Sequence, residues 1–458
     1  MKKRILFVFL FLICTKVISQ NKQLVYGFAE APQTLMINPG AETNFKYHIG
    51  IPGLSGTSIN IGSTGIDISD LFLKGGLSFT DKVETVMNNL TERDFLSLNV
   101  QIDILNGGHR LDEKTYLSFG FYEELDFIGY FPKDVAQLLF YGNSAYLNRS
   151  FQLSQMRMRG EILGVLHAGI SRKINSKLNL GGRFKIYSGS AHIKTTNNSG
   201  SFTTVENENN IYRNYLNNVN VEIQTSGLYE GDFFNVGSKG LISNSFLSKN
   251  MGVGLDLGFT YHYTPQLEFT GSLLDVGFVS YSKNVKNLTI KGDYTFDGVE
   301  FLYDSANPPD YWAQLDSDFK AKVPREQNSE AYISWRPVKF NAGVKYSFGR
   351  ARLNKECYDV TYKNYYNNAI GVQLYTVVRP LGNQLATTAF VEKSIGERFH
   401  VKFTYTADDY SFSNLGFGIS TQMGIFHMYG MVDNLLKLSD IAEANTASLQ
   451  FGFNLIFD

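Results

Sequence analysis

The chain has 458 residues, is 43% hydrophobic and 19% charged, and carries a formal net charge of −1. That is too long for one ordinary compact domain, too apolar for a disordered chain, and too close to neutrality for a nucleic-acid partner. Aromatics reach 14% and glycine 42 residues against only 10 prolines, a bias that bears on the strand pattern described below.

The N-terminus reads as an export signal. Lys2, Lys3 and Arg4 form a positive stretch, and Ile5 through Ile13 an apolar core of nine residues. Val17-Ile18-Ser19 places short side chains before a cleavage point, so Gln20 is the expected first mature residue. The apolar core is too short to anchor a bilayer. Cys14 follows Ile13, where a lipid-modified cysteine needs a small residue, so lipidation is not expected. After cleavage only Cys357 remains, which excludes an intramolecular disulfide. Beyond residue 19 there is no run of 18 apolar residues, so no transmembrane helix is expected.

Residues 20–44 are polar and rich in turn formers around Pro32 and Asn38-Pro39-Gly40. Two readings stand side by side: a hatch inside a barrel, or a loose periplasmic leader. From residue 45 onward alternation takes over. Strand candidates lie at 97–105, 115–122, 161–172, 178–190, 251–263, 267–281, 329–335, 339–349, 368–379, 385–393, 398–407, 414–422, 425–433 and 447–457, with 45–51, 57–62 and 219–228 as further segments. Helical spacing of Val83, Val86, Met87 and Leu90 predicts a helix over 81–93 capped by Thr80, and Val135, Leu138 and Leu139 another over 133–141. The Asn- and Ser-rich stretch 191–250 reads as an exposed loop.

The alternation is clearest at the end of the chain. Leu449, Phe451, Phe453, Leu455 and Phe457 share one face, and Ser448, Gln450, Gly452 and Asn454 the other. Val253, Leu255, Leu257 and Phe259 oppose Gly252, Gly254, Asp256 and Gly258 in the same way. This is the period of two that marks a strand. A soluble sandwich also alternates. Strands of about ten residues instead of five or six, a glycine-rich polar face, and Tyr and Phe at strand ends favour a membrane barrel. Hydrocarbon demands that every backbone group be paired, so such strands must close. The expectation is an all-β transmembrane antiparallel β-barrel of about 14 strands, within 12–16, over residues 45–458. Short turns at Asn175-Ser176, Thr264-Pro265 and Arg336-Pro337 fit one side. Long loops at 191–250, 284–328 and 350–366 fit the other. The short–long alternation breaks between 338 and 398, so either one external turn is short or one strand is misread.

Signals for chemistry are sparse. Seven His show no metal-binding spacing, and no cofactor is expected. The glycines of 252–258 lie inside a strand and open no helix, so they do not form a nucleotide loop. No catalytic set is recognised, and no enzyme is expected. With the apolar face toward lipid, the lumen-lining candidates are Asp103, Arg183, Lys185, Asp256, His262, Glu268, Lys339, Lys345, His400, Lys402 and Gln450. They form either a self-satisfying polar filling or a path for a solute. The mixed signs do not favour a strongly ion-selective pore.

Ile37-Asn38-Pro39-Gly40 with Tyr47-His48-Ile49-Gly50-Ile51-Pro52-Gly53-Leu54-Ser55 resembles the opening of a family of bacterial outer-membrane barrels of unassigned function. Met251 to Gly258, Leu273 to Phe278, Met431 to Leu435 and Leu449 to Leu455 are similar to it as well. More distantly the chain is similar to long-chain fatty-acid transporter barrels and to accessory barrels of the type IX secretion system. The resemblance implies an outer-membrane location, contact with membrane lipid, and delivery by the barrel-assembly machinery. It transfers no catalytic residue. Two functions follow as expectations: passage of a small apolar or amphipathic solute, or a structural barrel that docks other envelope or secretion-system proteins.

Overall fold

The computed structural model describes residues 24–28, 31–66, 78–196, 198–207, 212–230, 248–297, 325–350, 366–396, 398–410, 414–437 and 444–457, with a few single positions between them. The export signal expected at 1–19 and residues 351–365 lie outside the described residues. Fourteen antiparallel strands form a closed ring. In chain order they are β1 (Tyr47–Gly50 and Thr57–Ser63), β2 (Phe95–Arg110), β3 (Thr115–Tyr130), β4 (Met158–Lys173) and β5 (Leu178–Thr195). There follow β6 (Met251–His262), β7 (Leu267–Tyr281), β8 (Tyr332–Trp335 and Lys339–Arg350) and β9 (Tyr366–Arg379). The ring ends with β10 (Gly382–Ile395), β11 (Phe399–Ala407), β12 (Asn414–Met423), β13 (Phe426–Val432) and β14 (Thr446–Phe457). Each strand pairs with the next, and β14 pairs with β1 through Thr57↔Phe451 and Tyr47↔Phe457, which leaves no open edge.

The expected total of 14 holds, but two assignments change. Segments 329–335 and 339–349 are one strand, because Tyr332–Trp335 and Lys339–Tyr346 both pair with β7. Arg336-Pro337 is therefore no turn. It is a break within β8, where the Arg336 amide still donates to Gly277 O at 2.9 Å. Segments 45–51 and 57–62 supply the missing strand as the two halves of β1. Between them the ladder is kept by Phe453 N–H donating to Leu54 O at 2.9 Å and Gly53 N–H to Ile104 O at 3.3 Å.

The loop geometry also corrects the expectation. Turns 111–114, 174–177, 263–266, 396–398 and 424–425 share one end of the barrel. Arg350 and Tyr366, which pair with each other, lie at that same end, so 350–366 belongs with the short turns. The Arg379↔Gly382 hairpin is a short turn at the long-connection end, which explains the broken alternation. Stretch 191–250 is not a plain loop: β5 runs to Thr195, and strands Ser199–Glu206 and Tyr212–Ser226 follow. These last two join Ser150–Gln152, Asn287–Asp297 and Glu326–Asn328 in a sheet that continues off the end of β5. Segment 219–228 is part of that sheet and not of the barrel wall. The helices are α1 (Thr34–Ile37), α2 (Phe79–Asn89) and α3 (Lys133–Tyr141). Ser78, not Thr80, caps α2, in a reciprocal capping box with Asp81.

Side-chain orientation follows the alternation. Val253, Leu255, Leu257 and Phe259 are exposed, while Gly252, Gly254, Asp256 and Thr260 are buried. On β14, Leu449 and Phe453 are exposed and Ser448, Gln450 and Asn454 buried. Exposed large apolar side chains recur on every strand of the wall, including Phe119, Leu166, Phe184, Trp335 and Phe403. An apolar surface of that extent is untenable in water and is the lipid face of a transmembrane barrel. Among the described residues no helix is long and apolar enough to cross a membrane.

Candidate functional site: the filled lumen

Residues 24–28 and 31–45 lie among the inward-facing side chains of the wall. Leu24, Val25, Tyr26, Phe28, Ala31 and Ile37 form one buried cluster with Leu274, Tyr429 and Met431. The segment folds on itself first. Thr34 Oγ donates to the carbonyl of Phe28 at 2.6 Å, and Asn38 Oδ1 accepts from the Gly40 amide at 2.9 Å, closing a turn at Pro39-Gly40. The wall then holds its carbonyls. Lys402 Nζ donates to Tyr26 O at 2.7 Å, Arg183 to Leu35 O at 3.0 Å and Ser272 to Ile37 O at 2.6 Å. Asn179 donates to Gly40 O at 2.9 Å.

The glycine-rich inner face has its reason here. A Cβ on Gly181 would overlap the Pro39 carbonyl, and one on Gly258 would overlap the Asn38 side chain. Only glycine lets the wall of β5 and β6 approach the segment that closely.

Beside the segment lies a network of buried charge. Asp256 accepts from Arg183 at 2.6 Å and Lys185 at 2.9 Å, and Lys185 also reaches Asp275 at 2.6 Å. Lys339 bridges Glu124 at 3.1 Å and Asp275 at 2.9 Å; Arg336 meets Glu124 at 2.6 Å and also Glu161. Four cations thus face four anions, with Arg159 touching Glu161 from the rim at 3.2 Å. Charges this deep persist only when paired and hydrogen-bonded, so the network is a rigid filling of the upper wall. A bulge makes it possible. Asp275 sits at φ 60°, and its amide donates to Asp256 Oδ1 at 2.7 Å. The register shift between β6 and β7 turns both Leu274 and Asp275 inward.

The candidates fall into three groups. Arg183, Lys185, Asp256 and Lys339 are joined in the charge network. His262, Glu268, Lys345, His400 and Lys402 gather at the short-turn mouth. There His262 lies 3.2 Å from Glu42, Lys345 lies 3.5 Å from Glu268, and Lys402 lies 3.3 Å from Glu392. His400 Nδ1 bonds Ser394 at 2.8 Å, and Phe28 meets the ring edge-on. A small cleft opens between these groups, bounded by Gly27, Phe28, Tyr366 and Glu392. Asp103 and Gln450 lie apart, buried near β1; Asp103 accepts from Gln101 at 3.0 Å and Asn106 at 3.2 Å.

The sequence reading missed Glu124, Asp126, Glu161, Asp275, Arg336, Arg379 and Glu392. Glu124 and Asp126 continue the inward phase of β3 past residue 122, where its expected end stood; Arg379 holds Asp126 at 2.6 Å. Arg336 reads as part of a turn because Pro337 follows it, and Asp275 falls out of phase because of the bulge. Glu161 and Glu392 lie within expected strands in inward phase, so the alternation itself is the signal that finds them. At the far end, in the connection after β11, burial and the neighbouring Asp408 push the Asp409 carboxyl up to about 7. Among the described residues no group of three or more His, Cys, Asp or Glu could hold a metal ion.

No curated protein matches the chain. Among solved structures it is similar to the toluene transporter TbuX of Ralstonia pickettii, at 10% identity and TM-score 0.41, covering 94% of this chain and 95% of that one. It is similar to a FadL homologue of Pseudomonas aeruginosa at 9% identity and TM-score 0.42, covering 97% and 100%. It is also similar to the toluene transporter TodX of Pseudomonas putida at 10% identity and TM-score 0.38, covering 96% and 98%. A family model matches residues 39–433, and the chain belongs to that family, the family of unknown function DUF5723.

Proposed function

We propose that this protein is a solute-passage barrel of the bacterial outer membrane, closed at rest by its own residues 24–45, and that its cargo is a small amphipathic molecule. The observation that carries the reading is the way the segment is held. Lys402, Arg183, Ser272 and Asn179, on three strands of the wall, grip backbone carbonyls of one short stretch. Net hydrogen bonds are worth about 0.5–1.5 kcal/mol each, so the grip is firm in sum but can be released contact by contact. The vacated space would combine an apolar patch at Leu274, Tyr429 and Met431 with cationic and amide donors. That lining suits a molecule with both characters. The test is solute uptake by liposomes carrying the full chain or a chain lacking residues 20–44. Faster uptake by the shortened chain is expected. Equal rates, or no passage by either, would end the proposal.

A second reading, a barrel that docks other envelope proteins, is favoured by the sheet that rises beyond β5. It has its own apolar cluster of Leu216, Val219 and Val221, packed by Phe202 and Ile290. Recovery of the barrel alone from native membranes would count against it.

A further inference from the structure

We infer that the lumen is a peptide-binding site in its own right, whose resident ligand is the chain's first segment and which accepts an amphipathic peptide supplied in trans. This goes beyond passage: it names a ligand class that the wall recognises whether or not solute crosses. The wall touches chiefly the main chain of the segment. Most of its polar contacts to the segment end on backbone carbonyls, which any peptide carries. Lys402 and Lys345 hold the carbonyls of Tyr26 and Gly27 at 2.7 and 3.4 Å. Arg183 holds those of Leu35, at 3.0 Å, and Met36. Ser272 holds Ile37 at 2.6 Å, and Ser171 and Asn179 hold Ala41 at 3.0 and 3.2 Å. Arg110 reaches the carbonyls of Thr43 and Phe45.

Fewer contacts read side chains. Gln33 bonds Asn454 at 3.1 Å, Asn38 bonds Phe259 O at 3.1 Å, Tyr26 bonds Thr270 at 2.9 Å, and Glu42 lies beside His262. Specificity beyond these comes from the apolar cluster around Leu274, Tyr429 and Met431. Glycines at 181 and 258 leave room for main chain against the wall. Donors spaced for carbonyls, an apolar patch, and main-chain clearance together describe a receptor for a peptide.

The segment enters β1 past Asn44, which is exposed. A protease site placed there in the folded, full-length protein would convert residues 20–44 into a noncovalent ligand. After cleavage the segment should remain with the barrel at one copy per chain and exchange with labelled synthetic peptide of the same sequence. Ser272→Ala and Asn179→Ala each remove a neutral donor, and each should speed dissociation by about two- to tenfold. Barrels that keep their heat-modifiable gel band exclude misfolding as the cause. Loss of the segment on cleavage with no rebinding would overturn the inference. Exchange at unchanged rates in both variants would overturn recognition through carbonyls. Liposome uptake after the segment is washed out tests passage separately: no uptake would count against passage and leave peptide binding standing.

Discussion

Arg183→Met should destabilise the barrel by about 4–5 kcal/mol, and the structure says where the loss arises. Arg183 is 2% exposed and gives Asp256 two hydrogen bonds, at 2.8 and 2.6 Å. It also caps the carbonyls of Leu35 and Met36. Breaking a buried pair by removing one partner costs about 3–5 kcal/mol. Asp256 keeps Lys185 at 2.9 Å and the Asp275 amide at 2.7 Å, which places this term near the low end, about 3 kcal/mol. Two carbonyls left without a donor add about 1 kcal/mol each, because they are shut away from water. Adding Asp256→Asn removes the stranded charge and should restore about 2 kcal/mol. Urea unfolding in detergent micelles, followed by tryptophan fluorescence or by the gel shift, measures all three proteins. A single variant within about 1 kcal/mol of the parent would refute the reasoning, since exposed ion pairs contribute no more than that.

Other consequences follow from the same geometry. Phe453→Arg should impair assembly, since arginine on the lipid face costs about 2–4 kcal/mol near mid-membrane; loss of the heat-modifiable band reads this, and normal assembly would mean the register is wrong. Gly181→Val should leave the barrel folded but dislodge residues 38–41, seen as faster proteolysis of the segment; unchanged protection would contradict the close approach. The raised carboxyl of Asp409 favours its neutral form in the folded state, so its contribution is fully present below the ordinary carboxylate range and is lost as pH rises towards about 7. Asp409→Asn should flatten that part of the stability profile, and an unaltered profile would remove Asp409 as its source.

Much of the wall was legible because lipid on one side and a polar lumen on the other impose the same alternation on every strand. β14 and β6 show it without interruption. Legibility failed where the backbone departs from regular pairing. The Arg336-Pro337 break looks like a hairpin, since proline removes a ladder donor, yet both flanks pair with β7. Asp275 reads as outward until the bulge beside Asp256 is known. Glu124 and Asp126 follow Glu123, and this acidic run hid the continuing alternation of β3. Residues 20–44 admit a leader or a hatch from composition alone. What places residues 24–28 and 31–45 is a set of donors scattered from Arg110 to Lys402, and no local pattern in the sequence brings those together.

The most direct test of a lipid-facing barrel with its first segment inside is an accessibility scan by spin label along β14 and residues 31–41 in lipid vesicles. Labels at Leu449, Phe451, Phe453 and Leu455 should be open to oxygen, with minima at Gln450, Gly452 and Asn454. Labels along 31–41 should be shielded from oxygen and from a water-borne relaxant alike. Loss of the two-residue period, or a segment as open to the aqueous relaxant as a free chain, would contradict the account.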